Sequence, residues 1–278
     1  MENSNHISIY DTTLRDGAQA EGVTFSPTFK IQIAKTLDSF GVDYIEGGFA
    51  ASNPRDMAFF NEIQNIKLKN AKIAAFGSTR RANVKVTDDK GSLALLEADT
   101  PVCTIFGKSW LLHVEEVLKT TAEENLLMIE DTCKFLKDHG KEVIYDAEHF
   151  FDGYKSNSTY ALKTILSAKQ GGADSIVLCD TNGGCLSHEI YEIIQQVKEV
   201  CDLPIGIHSH NDSDTGVANA MEAIRAGAIQ VQGTINGFGE RCGNCNLISV
   251  IANIIKKTNH TCLNDENNLK NLKAISQF

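Results

Sequence analysis

The chain has 278 residues, with 26 basic against 36 acidic side chains and a formal charge of −10. That balance argues against a nucleic-acid or anionic-membrane surface, and an anionic substrate would need a local basic pocket or a metal. No run reaches the roughly 18 apolar residues that a membrane span requires.

The first strand is predicted over 7–10 and runs into Asp11, Thr12, Thr13, Leu14, Arg15, Asp16 and Gly17. Ser26 and Pro27 form an N-cap and first-turn proline for a helix that Gly41 ends. A second strand over 42–46 leads into Gly47 and Gly48, and Asn53-Pro54 opens a second helix to about 66. The alternation continues with strands at 71–76, 101–106, 142–147, 175–179, 204–208 and 229–235. Helices are expected between them at 88–98, 114–139, 159–170, 187–200 and 216–226, and after the last strand at 246–257.

Strict alternation implies a parallel sheet with helical crossovers, and eight units in about 250 residues predict a closed (β/α)8 TIM barrel. An open nucleotide-binding sheet is the weaker reading, because no Gly-x-Gly-x-x-Gly follows the first strand. The barrel is expected to occupy 1–258. Residues 259–278 turn polar and then helical in spacing, as the start of a further unit would. The N-terminal MENSNH is polar, and the eight cysteines are irregularly spaced. They are expected to be reduced thiols of a cytoplasmic protein.

In a closed barrel the C-terminal strand ends share one face, where catalytic groups collect. Here nearly every one is polar. Strand one offers Asp11, Arg15 and Asp16; strand five Asp146, Glu148 and His149; strand six Asp180 and Thr181. Strand seven ends in LPIGIHSHND, and alternation along a strand puts His208 and His210 on one side. Two imidazoles there can hold a metal ion, with Asp16 as carboxylate partner and Asn244 as a carbonyl donor. The plainer readings are two loop histidines, an Asp-Gly turn and a loop asparagine. Cys242 and Cys245 form one CxxC without a second, which speaks against a zinc or redox site. Thr79, Arg80 and Arg81 bind phosphate or are solvated charge.

These motifs carry a resemblance. The run DTTLRDGAQ from Asp11 to Gln19 resembles the signature of the acyl-CoA-dependent 2-hydroxy-acid synthases, which comprise the isopropylmalate, homocitrate and citramalate synthases and are related to HMG-CoA lyase. His208-x-His210 and the run GERCGN from Gly239 to Asn244 are similar to the same family, in the same order. YIEGG from Tyr44 to Gly48, GKSW from Gly107 to Trp110 and DAEHFFDG from Asp146 to Gly153 look like the citramalate branch. Phe49 is followed by Ala50 where the other branches usually carry Gly-Phe-Pro.

The resemblance implies a Claisen condensation of acetyl-CoA with a 2-oxo acid, pyruvate in that branch, followed by thioester hydrolysis. It implies a divalent metal (Mg, Mn, Co or Zn) on Asp16, His208 and His210, with Gln19 and Asn244 completing its surroundings. Arg15 would lie near the ketone oxygen, Thr181 at the oxo-acid carboxylate and Glu148 near the acetyl group. A homodimer is implied, with a proton-abstracting histidine supplied from a C-terminal linker subdomain. This chain alone is therefore expected to bind metal and oxo acid but to condense poorly. Lys108 or Arg80 is expected to meet the CoA phosphates. The competing functions are isopropylmalate or homocitrate synthesis, carbon–carbon cleavage of an acyl-CoA, and a non-catalytic barrel that binds a metal and an oxo acid.

Overall fold

A computed structural model describes residues 5–52 and 54–278; Asn53, the expected opening of the second helix, lies outside them. The strands are β1 (Ser8–Asp11), β2 (Tyr44–Phe49), β3 (Lys72–Ser78), β4 (Val102–Lys108), β5 (Glu142–Glu148), β6 (Ser175–Asp180), β7 (Ile205–Ser209) and β8 (Gln230–Gly233). They close in sequence order, all parallel, with β8 returning to β1. The predicted barrel is the fold.

The helices follow local chemistry. Helix α1 (Pro27–Phe40) starts where Ser26 accepts a hydrogen bond from the Phe29 N–H at 3.2 Å and ends at Gly41, whose φ of 99° only glycine adopts readily. Helices α2 (Pro54–Ile63) and α3 (Lys90–Glu97) cover the next crossovers, α3 beginning where Asp89 accepts from the Ser92 N–H. The single helix expected at 114–139 is two, α4 (Leu111–Glu116) and α5 (Ala122–Asp138). The break comes where Lys119 takes a positive φ of 53° and Thr121 caps α5 by accepting from Glu124. Helix α6 (Phe150–Gln170) starts nine residues before the expected 159, with a non-helical Asn157 inside it. The Asn157 side chain accepts from the Tyr160 N–H, so the expected start is the restart of an interrupted helix. Helices α7 (Ser187–Val200), α8 (Gly216–Ala226) and α9 (Leu247–Lys257) follow prediction, and α10 (Leu272–Gln277) ends the chain.

One side of each strand faces the helices, and their apolar residues, among them Ile9, Ile45, Ile105, Tyr145, Leu178 and Val231, form the main core. The other side fills the barrel. Tyr10, Ala74, Val102, Ile144, Val177 and Cys179 make a buried apolar layer there. Toward the C-terminal ends the inward positions become polar. A β-bulge between Glu46 and Gly48 in β2 shifts the alternation by one, so that both Glu46 and Phe49 face the site. The bulge needs small residues: a Cβ on Gly47 would lie 2.2 Å from the Phe59 ring.

Residues 261–278 lie against the barrel. The Ile7 N–H donates to the Thr261 carbonyl, Cys262 and Leu263 are buried, and Phe278 stacks on Phe29 with ring centroids 6.1 Å apart. No helix of the described residues is long and apolar enough to cross a membrane.

Candidate metal and substrate site

A cleft of about 270 Å³ opens at the C-terminal strand ends. Its walls include Arg15, Asp16, Gln19, Glu148, Thr181, His208 and His210, all of them residues singled out in the sequence.

The loop after β1 is built by its own side chains. Asp11, fully buried, accepts from the Thr13 N–H and the Thr13 hydroxyl, and that hydroxyl oxygen accepts from the Ile235 N–H at 2.9 Å. Burial pushes the Asp11 carboxyl up to about 7, Glu46 adding to the rise. The loop then turns so that Arg15 and Asp16 enter the barrel mouth. Glu46 organises this corner: it accepts from the Tyr10 hydroxyl, the Thr12 hydroxyl and Arg15 Nε. The Arg15 guanidinium lies 3.8 Å from the centroid of the Phe76 ring and 3.5 Å from Asp16. Burial alone would lower its pKa, but Glu46 and Asp16 more than offset that and keep the charge fixed.

His208 and His210 face the same way, as strand alternation predicts. His208 Nε2 lies 3.2 Å from Asp16 Oδ2 and 3.3 Å from His210 Nε2, and His210 Nε2 lies 3.9 Å from Asp16 Oδ2. All three residues are buried. Burial would raise the Asp16 carboxyl, but Arg15 and the two histidines hold it well below the usual range. Burial would lower His208, but its hydrogen bond to Asp16 and the charges of Asp16 and Asp146 raise it overall. Burial, with His208 adding to it, lowers His210 to about 3, which keeps that ring neutral.

Asn244 is buried behind His210, to which a backbone bridge joins it. Its amide donates to the Phe238 carbonyl, while its Oδ1 is buried without a hydrogen-bond partner. Two imidazole nitrogens and a carboxylate oxygen converge. That donor set fits a divalent cation, and among the described residues it is the one such cluster of His, Cys, Asp and Glu.

Thr181 uses its hydroxyl oxygen to accept from the His149 N–H at 2.9 Å, which leaves the hydroxyl proton to donate into the cleft. Glu148 pairs with Lys108 at the mouth. Arg80 does not reach the cleft. It is buried in bonds to Glu124 and Asp131, and with Lys108 it lines a separate pocket at the same rim. Arg81 is exposed and paired with Asp89. Cys242 is exposed and Cys245 buried, and neither takes part in the cluster.

Several residues went unnoticed in the sequence. Phe49, Phe76 and Phe106 form one wall, with Phe76 and Phe106 stacked at 5.3 Å. Two of them are ordinary strand phenylalanines by pattern, and the third needs the bulge to point inward. Gln232 contacts His208; a glutamine at an inward position of a buried strand was the available signal.

The chain is thus a parallel eight-stranded α/β barrel with a carboxylate and two histidines gathered at its C-terminal mouth as a candidate metal site. The chain belongs to the HMGL-like family, whose model matches residues 6–278. It is 58% identical over 273 residues to the (R)-citramalate synthase of Aquifex aeolicus, covering 98% of this chain and 52% of that protein. It is 53% identical over 272 residues to the (R)-citramalate synthase of Geobacter sulfurreducens, covering 98% and 51%. The chain thus spans about half the length of the curated relatives it matches. The fold is also that of a Bacillus subtilis HMG-CoA lyase, with a TM-score of 0.80 and 17% identity over 100% of this chain and 93% of that one.

Proposed function

We propose that this barrel is the catalytic part of a citramalate synthase, joining the acetyl methyl of acetyl-CoA to the ketone carbon of pyruvate and then hydrolysing the thioester to release CoA. The observation that carries this is the convergence of Asp16, His208 and His210 beside a fixed guanidinium at the mouth of the barrel. The two citramalate synthases reported above support the choice among synthases.

In this reading Asp16, His208 and His210 hold a divalent cation, with Gln19 and Asn244 beside it. Such an ion supplies Lewis-acid polarisation of the ketone. Arg15 adds fixed positive charge where an alkoxide develops, and its bonds to Glu46 and packing on Phe76 mean that it need not reorganise when that charge appears. The Thr181 hydroxyl orients the oxo acid by donating to its carboxylate. Glu148, steadied by Lys108, lies at the acetyl end. The three phenylalanines exclude water and leave room for a short 2-oxo acid. The working assembly of this proposal is a cytoplasmic homodimer, with proton abstraction completed by a group supplied beyond the barrel.

The test is a condensation assay read by mass spectrometry. Acetyl-CoA and Mn²⁺ are offered with pyruvate, 2-oxoisovalerate, 2-oxoglutarate or glyoxylate, using this chain and a form extended at its C-terminus. The expected result is a citramalate product from pyruvate, faster in the extended form by about 10²–10⁴, the usual value of a general base. Preference for 2-oxoisovalerate would overturn the substrate assignment. Cleavage of HMG-CoA would point to a lyase instead.

A further inference from the structure

We propose that Gln232 is a positioning residue that fixes the tautomer of His208, and that Asp146 sets the direction in which Gln232 acts. This deepens the metal-site reading above and rests on it.

Gln232 is fully buried, and its inward-facing backbone position in β8 is the register partner of His208 in β7 and of Tyr10 in β1. Its side chain joins two strands that are not neighbours. Gln232 Oε1 lies 2.9 Å from His208 Nδ1, and Gln232 Nε2 donates to Asp146 Oδ1 in β5 at 3.0 Å.

An amide has one donor end and one acceptor end. Here the NH₂ end turns to Asp146 and the carbonyl end to His208. A carbonyl facing His208 Nδ1 requires an N–H there. The lone pair of the neutral ring is then on Nε2, the nitrogen that converges with His210 Nε2 and Asp16 Oδ2. The polarity of one carboxylate is thus transmitted through one amide to the metal-facing nitrogen. Reversal of the amide would aim its NH₂ donor at Nδ1, so that Nδ1 accepts and the ring proton sits on Nε2, and a protonated nitrogen cannot ligate. Hydrogen-bond partners of this kind behind a metal-binding histidine commonly contribute about 10–100-fold in affinity.

His210 lacks this support, because its Nδ1 is buried without a hydrogen-bond partner. The two ligand histidines are therefore unequal, and His208 is the pre-oriented one.

The experiment titrates Mn²⁺ by calorimetry and records the visible spectrum of the Co²⁺-loaded protein, for the wild type and for Gln232→Met, Asp146→Ala and Asp146→Asn. Methionine keeps the volume of Gln232 and removes both hydrogen bonds. Alanine at 146 removes the acceptor, whereas asparagine can still present an oxygen to Gln232. We expect Gln232→Met and Asp146→Ala to bind Mn²⁺ about 10–100-fold more weakly with an altered Co²⁺ spectrum. Asp146→Asn should restore affinity to within a few-fold of wild type. If Gln232→Met does not fold by circular dichroism, the two Asp146 variants decide. Wild-type affinity and spectrum in both Gln232→Met and Asp146→Ala would overturn the inference while leaving the metal site standing. Failure of the wild type itself to bind Mn²⁺ or Co²⁺ would instead overturn the metal-site reading, and this inference with it.

Discussion

Two arginine-bearing loops leave the same rim of the barrel, one after β1 and one after β3, and they end in opposite roles. Arg15 spends Nε on Glu46, lays its plane over Phe76 and still faces the cleft. Arg80 spends Nε and Nη2 on Asp131 and Nη1 on Glu124 and the Arg81 carbonyl, against the flank of α5. Both are buried cations paired with carboxylates. The difference lies in where they face: Arg15 lines the cleft with Asp16 and the two histidines, and Arg80 does not.

The largest effect separating the two regions should come from the carboxylate that Arg15 touches. Asp16→Ala or His210→Ala is expected to abolish Mn²⁺ binding in calorimetry, since three ligands fall to two. Arg80→Ala should leave Mn²⁺ affinity unchanged. A variant of Asp16 that binds Mn²⁺ like the wild type would break the comparison at its root. Arg15→Ala is next. It should cost about 10²–10³ in turnover of the extended protein, the usual loss for one preorganised oxyanion donor, with Mn²⁺ affinity little changed. Arg80→Ala should leave turnover near wild type but destabilise the fold by about 1.5–3 kcal/mol, as loss of hydrogen bonds to charged groups does. Equal losses of turnover in both variants would show that the Arg80 loop also serves the site.

The last effect concerns the base of the Arg15 loop and leaves the cleft itself untouched. The buried Asp11 carboxyl holds its proton up to about pH 7 in the fold, whereas an unfolded aspartate releases it near pH 4. Between those values the native state binds the extra proton, so this group's contribution to stability is full below about pH 4 and is lost as pH rises through 7. Asp11→Asn can keep the bonds to Thr13 without titrating. Relative to that variant, the wild type should lose on the order of a few kcal/mol from pH 4 to pH 8 in urea unfolding. Parallel curves would show that Asp11 is not a buried titrating group.

The sequence made the barrel readable because the strands were short apolar runs bounded by glycine or polar residues, and several helices opened on a capping side chain, as at Ser26, Asp89, Thr121 and Asn246. The residues of the candidate metal cluster were readable for the same local reason: His208 and His210 are two apart on a strand, and Asp16 closes a motif dense in charge. What stayed hidden depends on distance in space. Nothing near Arg80 in the chain announces Glu124 and Asp131, 44 and 51 residues away, so its burial could not be foreseen. Phe49 faces inward only because a bulge reverses the alternation in β2. Gln232 gains meaning only when β5, β7 and β8 close around it. The break between α4 and α5 is hidden because apolar periodicity runs through it, and the early start of α6 because residues 155–159 are all polar, so the apolar pattern resumes only at Tyr160; Lys119 and Asn157 act through backbone conformation.

The most direct test of the central claim is calorimetric titration of pyruvate into this chain, with and without Mn²⁺. The account predicts binding that requires the metal and disappears in His210→Ala. Binding of equal strength without Mn²⁺, or none in either condition, would contradict it.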